Sequence, residues 1–361
     1  MEQRIRVLLL IPHLGGGGAE QVTALLARGL SHQKYDLHLG VITRKSLPHD
    51  SLPSWVTIHS LGARRVRSGA LRLLRLVRRL RPDVVLSSMA HLNFLVLLLR
   101  PLFPRKTRVL VRQNATVSAV LAAGGVPRWT RLLYRLLYRC ADRIICQSRA
   151  MADDLSTQIG LRPTRIAVLP NPIDLDGILA AQRAPSSWTG PGPHLLAMGR
   201  LTHEKGFDLL LQAFAAVRNR FPQADLVIAG SGSEEDALKA QRRRLGLEAA
   251  VHFPGHVGYP YGYFPGATLF VLPSRYEGMP NALIEAAAGG LPLVVLPASG
   301  GIVDLLRDRP GVWLAPEIST AALTVTLLSA LQALKPGQRF AHEFLAGSEA
   351  TGQPVPALQA Q

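Results

Sequence analysis

At 361 residues the chain is long enough for about two ordinary domains, and 48% hydrophobic against 18% charged residues excludes a disordered polymer. Two cysteines, Cys140 and Cys146, exclude a disulfide-stapled scaffold and have no metal-ligand or redox spacing; they read as buried thiols of a reducing compartment, which favours the cytosol. The net charge of +17 is unevenly held: residues 1–170 carry 27 Lys and Arg against 8 Asp and Glu, a net +19, while 171–361 carry 14 against 16, a net −2. Only 6 of the 41 basic residues are Lys, as a GC-rich coding sequence produces, but that bias acts on both halves and does not explain their contrast.

Taken in chain order, short apolar runs alternate with helical stretches. Residues 7–11 form a buried-strand run that is better used so than as a leader, since no small-residue cleavage site follows. Gly15-Gly16-Gly17-Gly18-Ala19-Glu20 then leads into an amphipathic segment at 21–30. Four glycines let a backbone approach a ligand closely, although no G-x-G-x-x-G dinucleotide spacing is present. Further strands are expected at 37–42, 84–87, 108–111, 143–146 and 166–169. Between them lie two Arg-Leu helices, one with Arg72, Arg75, Arg78 and Arg79, the other with Arg131, Arg135 and Arg139 four apart beside Trp129, Leu132, Leu136 and Tyr138. Arginines on one side with leucines and aromatics on the other predict an interfacial helix, and hence an anionic membrane surface as partner. The apolar stretch 92–99 is interrupted by Asn93 and is too short to span a bilayer.

Leu169-Pro170-Asn171-Pro172-Ile173-Asp174 reads as a hinge ending one strand-helix series before another begins. The second series has strand runs at 194–198, 225–229, 251–253, 268–272, 293–296 and 311–314. Two parallel sheets with helices on both faces follow, an α/β protein whose ligands bind beyond the carboxyl ends of the strands. The expected domains are 1–170 and 171–335, with a tail at 336–361 whose polar, Pro-containing end after about 348 is read as disordered.

Two loops of the second half carry chemistry. Met198-Gly199-Arg200-Leu201-Thr202-His203-Glu204-Lys205-Gly206-Phe207-Asp208 follows a strand, so Arg200 and Lys205 flank a loop with a planar fork and a point charge, both suited to a diphosphate. Ser274-Arg275-Tyr276-Glu277-Gly278-Met279-Pro280-Asn281-Ala282-Leu283-Ile284-Glu285 sets two carboxylates eight positions apart across a loop-to-helix junction. Pro280 suits the first helical position, and the helix start favours a phosphate-bearing ligand. Ionised acceptors there suit sugar and ribose hydroxyls instead: Glu277 for the hexose, Glu285 for the ribose.

Together the Gly-Gly-Ala-Glu loop at Gly17, Gly18, Ala19 and Glu20, the Asn-Pro-Ile-Asp linker at 171–174, the Gly-Arg…Lys-Gly segment and the Glu-x7-Glu pair resemble the GT-B glycosyltransferases of family 4, over about residues 5–335. The resemblance implies two Rossmann-like domains facing a central cleft, the first taking the acceptor and the second the nucleotide sugar. It implies retaining transfer of a hexosyl or N-acetylhexosaminyl group from a nucleoside diphosphate sugar, a UDP-sugar by expectation, and the basic first half adds the expectation of a lipid-linked or membrane-glycan acceptor. No cofactor and no metal are implied, since Arg200, Lys205 and a helix start neutralise the leaving diphosphate. Glu277 is implied at the donor sugar and Glu285 at the ribose, with Gly17 and Gly18 lining the cleft; Gly199, Gly278, Met279, Pro280 and Asn281 complete the donor-binding set. Relatives carry a His in the first domain that touches the donor sugar; the equivalent segment here, Val111-Arg112-Gln113-Asn114-Ala115-Thr116, has none. Arg112, Asn114, His91 or His13 is then the acceptor or sugar contact. Two rivals stand beside this reading, a nucleotide-sugar 2-epimerase of the same fold and a nucleic-acid binder. The second has no reading motif, so no nucleic-acid partner is expected; the place implied is the cytoplasm, peripheral on the inner face of the cell membrane.

Overall fold

A computed structural model describes residues 4–14, 18–43, 52–122, 127, 129–258, 260–298 and 302–342. Two compact units divide the chain between Pro172 and Ile173, inside the two-proline segment.

The first unit runs β1 (Ile5–Ile11), α1 (Gly18–Gly29), β2 (Tyr35–Thr43), β3 (Thr57–Ala63), α2 (Ala70–Leu80), β4 (Val84–Ser88), α3 (Ala90–Leu99), β5 (Arg108–Arg112), α4 (Val117–Ala122), α5 (Thr130–Leu137), β6 (Arg143–Cys146), α6 (Arg149–Ile159) and β7 (Ile166–Val168). Its seven strands pair in parallel in the order β3-β2-β1-β4-β5-β6-β7. Side chains of β1 alternate between two cores: Leu8 and Leu10 pack with Leu73, Val77 and Tyr138, and Val7, Leu9 and Ile11 pack with Ala27, Leu37 and Leu39. Burial on both faces is why such strands read as unbroken apolar runs. The edge strand β3 is not among the expected strands. Its sequence, TIHSLGA, is only partly buried and polar at several positions, so it lacks the apolar run of its neighbours.

The second unit runs α7 (Leu175–Gln182), β8 (His194–Met198), α8 (Phe207–Arg220), β9 (Asp225–Ala229), α9 (Glu235–Arg244), β10 (Val251–His252), β11 (Leu269–Leu272), α10 (Asn281–Ala288), β12 (Leu293–Val295), α11 (Ile302–Leu306), β13 (Val312–Leu314) and α12 (Thr320–Ala333). Its six parallel strands take the order β10-β9-β8-β11-β12-β13. Local signals start these helices: Asp174 caps α7 by accepting from Gly177 N at 3.1 Å, and Ser319 caps α12 by accepting from Ala322 N at 3.1 Å. After α12 the chain folds back on this unit. Phe340 N donates to Gly290 O, and its ring meets Trp313 edge-on. The tail beyond 342, including the end read as disordered, lies outside the described residues.

Each sheet order reverses direction once, between β1 and β4 in the first unit and between β8 and β11 in the second. At such a reversal the loops leave neighbouring strands in opposite directions and open a crevice at their carboxyl ends.

Candidate functional site

In the second unit the loops after β8 and β11 meet at that reversal. Lys205 Nζ lies 2.6 Å from Glu277 Oε1, and Ser274 Oγ donates to the same oxygen at 2.7 Å. Both charged side chains are largely buried, at 19% and 8% exposure, so their attraction is little screened. Arg200 is exposed beside them, its Nη2 3.3 Å from Glu204 Oε1. Burial raises the Glu204 carboxyl, but hydrogen bonds from Thr202 and the backbone, with the charges of Arg200 and Lys205, outweigh it and hold the group below the ordinary range.

Backbone contact fixes this geometry. Gly206 ends the loop at φ 66° and precedes α8; a Cβ there would stand 2.0 Å from Pro273 O, at the end of β11. Arg275 N donates to Glu204 O at 2.8 Å. The Arg275 fork closes on both carboxylate oxygens of Asp208, at 2.7 and 2.6 Å. That bidentate bridge raises the Arg275 guanidinium and, against the opposing effect of burial, lowers Asp208. Neither residue is among the expected site residues, although both stand in the two loop motifs. Only the adjacency of β8 and β11 makes them partners.

Beyond Glu277 the loop passes half-buried Gly278 and Met279 to Pro280, which caps α10 at φ −77° and ψ 103°. Pro280 was expected as the first helical residue, but its extended ψ leaves that position to Asn281. Glu285 lies buried on α10. Gly199 follows β8 and donates its N–H to Ala229 O at 3.0 Å.

In the first unit His13 follows β1 and His91 stands near the start of α3, after β4, so the two residues flank the reversal of that sheet. Glu20, buried on α1, brings Oε1 to 3.0 Å from His13 Nδ1, outside hydrogen-bond geometry. Partial burial and the neighbouring His13 lower the His91 imidazole, favouring its neutral form. Met89, just before α3, adopts φ 77°, a rare value for a side-chain-bearing residue. Arg112 ends β5 and is buried; Asn114 follows it, its Oδ1 3.5 Å from Gln147 Nε2. Gly18 opens α1, whereas Gly17 falls outside the described residues.

Family models match both halves of the chain: "Glycosyltransferase Family 4" over residues 16–176 and "Glycosyl transferases group 1" over 180–341. This is a GT-B glycosyltransferase. It is 29% identical over 312 residues, 83% of each chain, to the N-acetylgalactosamine-N,N'-diacetylbacillosaminyl-diphospho-undecaprenol 4-alpha-N-acetylgalactosaminyltransferase of Campylobacter jejuni. To the amylovoran biosynthesis glycosyltransferase AmsD of Erwinia amylovora it is 25% identical over 90% of each chain. Among solved structures, Anabaena Alr3699/HepE in complex with UDP and glucose shares the fold at TM-score 0.74 and 18% identity, over 96% of this chain and 94% of that one. Sucrose-phosphate synthase from Thermosynechococcus elongatus does so at TM-score 0.75 and 17% identity, with the same coverage.

The glycosyltransferase departs from the sequence reading on its two arginine-rich helices. On α5 the aromatic side does not face outward as a whole: Tyr134 and Tyr138 are buried in the unit's own core. Trp129, at 60% exposure, with Leu132 and Leu136, lies exposed on the same outer side as Arg131, Arg135 and Arg139. A helix on a sheet must bury one stripe, and the two tyrosines supply it. Arg72 and Arg131 are not free heads either; they donate to Leu61 O at 2.7 Å and Gln158 O at 3.0 Å, while Arg75 is exposed. Cys140, expected buried, is exposed just after α5, whereas Cys146 is buried and its thiol pushed up to about 12, chiefly by burial. Among the described residues no helix is long and apolar enough to cross a membrane, and no cluster of His, Cys, Asp and Glu has metal-binding geometry.

Replacing Gly206 by Ala forces either Pro273 or the left-handed turn to move. The expected outcome is a loss of roughly 1–3 kcal/mol in chemical denaturation, the scale of local backbone strain, together with impaired turnover as the Lys205–Glu277 contact loosens. Unchanged stability and turnover would show that this loop contact does not position the pair.

Proposed function

We propose that the enzyme is a retaining transferase that moves a hexosyl or N-acetylhexosaminyl group from a UDP-sugar to a hydroxyl of a lipid-linked or membrane-glycan acceptor, as in polysaccharide biosynthesis. The observation that carries this reading is the Lys205–Glu277 pair at the sheet reversal, with exposed Arg200 beside it and the start of α10 just beyond. A donor entering there exchanges the pair for better-matched partners. Its diphosphate accepts from Lys205 and Arg200, and its sugar hydroxyls donate to Glu277. The ribose goes to Glu285, and Gly199, Gly278, Met279, Pro280 and Asn281 line the donor with main chain. As the glycosidic bond breaks, negative charge builds on the leaving phosphate. Lys205, Arg200 and the N–H groups near Gly278 and Met279 stabilise it without a metal, in the manner of an oxyanion hole. The departing phosphate takes the acceptor proton. Support for a UDP donor comes from the fold shared with HepE, solved with UDP and glucose; support for a polyprenyl-linked acceptor comes from the diphospho-undecaprenol in the name of the Campylobacter relative.

The acceptor is assigned to the first unit, with His91, Arg112, Asn114 or His13 as the acceptor or sugar contact, and that unit to an anionic membrane surface at the inner face of the cell membrane. What supports membrane contact is the net +19 of residues 1–170 together with Trp129, Leu132 and Leu136 exposed beside Arg131, Arg135 and Arg139. Each basic residue near an anionic leaflet is worth about 1 kcal/mol.

Arg200→Ala or Lys205→Ala is expected to lower turnover by about two to three powers of ten, the scale of one lost oxyanion-type donor. Glu277→Gln should depress kcat at saturating donor and Glu285→Gln mainly raise the donor KM. Activity should survive a metal chelator. Near-normal turnover in a folded Lys205→Ala variant would remove the diphosphate assignment, equal kinetic effects of the two Gln variants would undo the division between them, and a strict Mg or Mn requirement would rule out metal-free departure.

Vesicles with acidic phospholipid should cosediment the protein far better than neutral ones, with partial release by salt, which screens the charges and leaves the apolar contact. Exchanging Arg131, Arg135 and Arg139 for Gln, or Trp129 for Ser, should each weaken sedimentation while the circular dichroism spectrum stays native. A wild-type protein that ignores acidic vesicles at low salt would end the membrane reading and favour a soluble acceptor.

A further inference from the structure

Arg112 is a buried cation whose hydrogen bonding is incomplete. It closes β5 at 2% exposure; its Nη2 donates to Asn171 Oδ1, and its Nη1 is buried without a hydrogen-bond partner. The groups around it are engaged largely with one another, although Asn93 Oδ1 is itself buried without a partner. Asn93 Nδ2 donates to the Arg112 carbonyl at 2.9 Å and to Tyr138 OH at 3.2 Å, and Tyr138 OH donates to Gln113 Oε1 at 2.6 Å. A second buried donor, Asn114 Nδ2, two residues on, also lacks a partner.

No carboxylate among the described residues pairs with this guanidinium. Of the two acids on the adjoining helix α6, Asp153 is exposed and Asp154 has its Oδ2 taken by Val117 N at 2.6 Å and Ser118 N at 3.2 Å. Cys146, on the neighbouring strand β6, has its thiol pushed up to about 12, so it is neutral at physiological pH. Burial lowers Arg112 to about 10, which still leaves it charged. A buried charge left unpaired with an unmatched N–H is costly, and a complementary anion offsets part of that cost. Its place at the carboxyl end of a parallel strand is where ligands of such sheets bind.

We propose that Arg112, with Asn171 and Asn114, forms an anion subsite of the first unit that takes a phosphoryl group. A guanidinium fork and amide N–H donors match the oxygens of a phosphate ester. Resting on the function proposed above, that group is the diphosphate of the lipid-linked acceptor, since the donor's own diphosphate is assigned to Arg200 and Lys205.

The test uses the full-length chain carrying Arg200→Ala and Lys205→Ala, so that the other diphosphate site is removed, with inorganic pyrophosphate as probe in metal-free buffer. Pyrophosphate is expected to bind and to raise Tm. Adding Asn171→Asp places a carboxylate where the Arg112 fork already points; it should raise Tm without ligand and weaken pyrophosphate about tenfold or more, the scale of a lost charge-assisted bond. Arg112→Gln should weaken it equally, and Arg112→Lys less. Equal pyrophosphate affinity with and without Asn171→Asp, or no binding in the starting chain, overturns the subsite. In the otherwise wild-type chain, Asn171→Asp should weaken a short-chain prenyl diphosphate and spare UDP; the reverse overturns the acceptor assignment and gives the subsite to the donor. Arg112-dependent pyrophosphate binding with no transfer to any prenyl diphosphate acceptor would overturn the lipid-acceptor function and leave the subsite standing.

Discussion

The second unit is organised around one ion pair in a low-dielectric place. Lys205 and Glu277 come from loops that belong to different strands, and neither charge is tolerable at such burial without the other. Removing one partner of a buried pair costs about 3–5 kcal/mol, because the remaining charge loses both water and counter-ion. The surrounding structure serves to hold these two groups at 2.6 Å. Gly206 permits the close approach of Pro273, the Arg275–Asp208 fork ties the loop after β11 to the first turn of α8, and Ser274 satisfies a further position on the Glu277 carboxylate. A site held this way is preorganised. Under the function proposed above, its cation awaits developing negative charge and its acceptor awaits hydroxyl groups before any substrate arrives.

The first unit solves the same burial problem differently. Its polar interior, Asn93, Tyr138, Gln113 and the Arg112 carbonyl, is a chain of neutral hydrogen bonds that needs no charge. Arg112 is the exception, a cation at the strand end with a neutral amide as its partner. Part of the excess positive charge of this half stands on the outer faces of α2 and α5, where Arg75 and Arg135 are exposed. The second unit thus pairs the two buried charges of its site, Lys205 and Glu277, with each other, whereas buried Arg112 of the first unit has a neutral amide as its partner and an Nη1 without one.

The local features of this protein were written in its sequence. Apolar runs flanked by Gly and Pro marked all six strands of the second unit and six of the seven in the first, most strongly for the central strands, which are covered on both faces and have few polar positions to blur the pattern. The edge strand β3, with only one well-covered side, left no such run. Motif residues were placed by the same local signals: Arg200, Lys205 and Glu277 stand in loops between strand and helix that Gly and Pro announce, and Glu285 one turn into the helix that follows. The charge contrast between the halves needed only counting.

Tertiary structure alone decided which of these residues meet. Lys205 and Glu277 are 72 positions apart, Arg275 and Asp208 67, Arg112 and Asn171 59, and each pair exists because strand order brings two loops or strand ends together. Periodicity along a chain contains no strand order, so the pairing of Lys205 with Glu277 and the incomplete partnering of Arg112 were invisible there. Exposure was likewise out of reach around α5. A leucine, tryptophan or cysteine reads as core by hydrophobicity, and only the packing of Tyr134 and Tyr138 against the sheet left Trp129, Leu132, Leu136 and Cys140 outside. Sequence determined the elements and the chemistry they carry; the order of the strands determined the partners, since burial and ion pairing depend on three-dimensional neighbours.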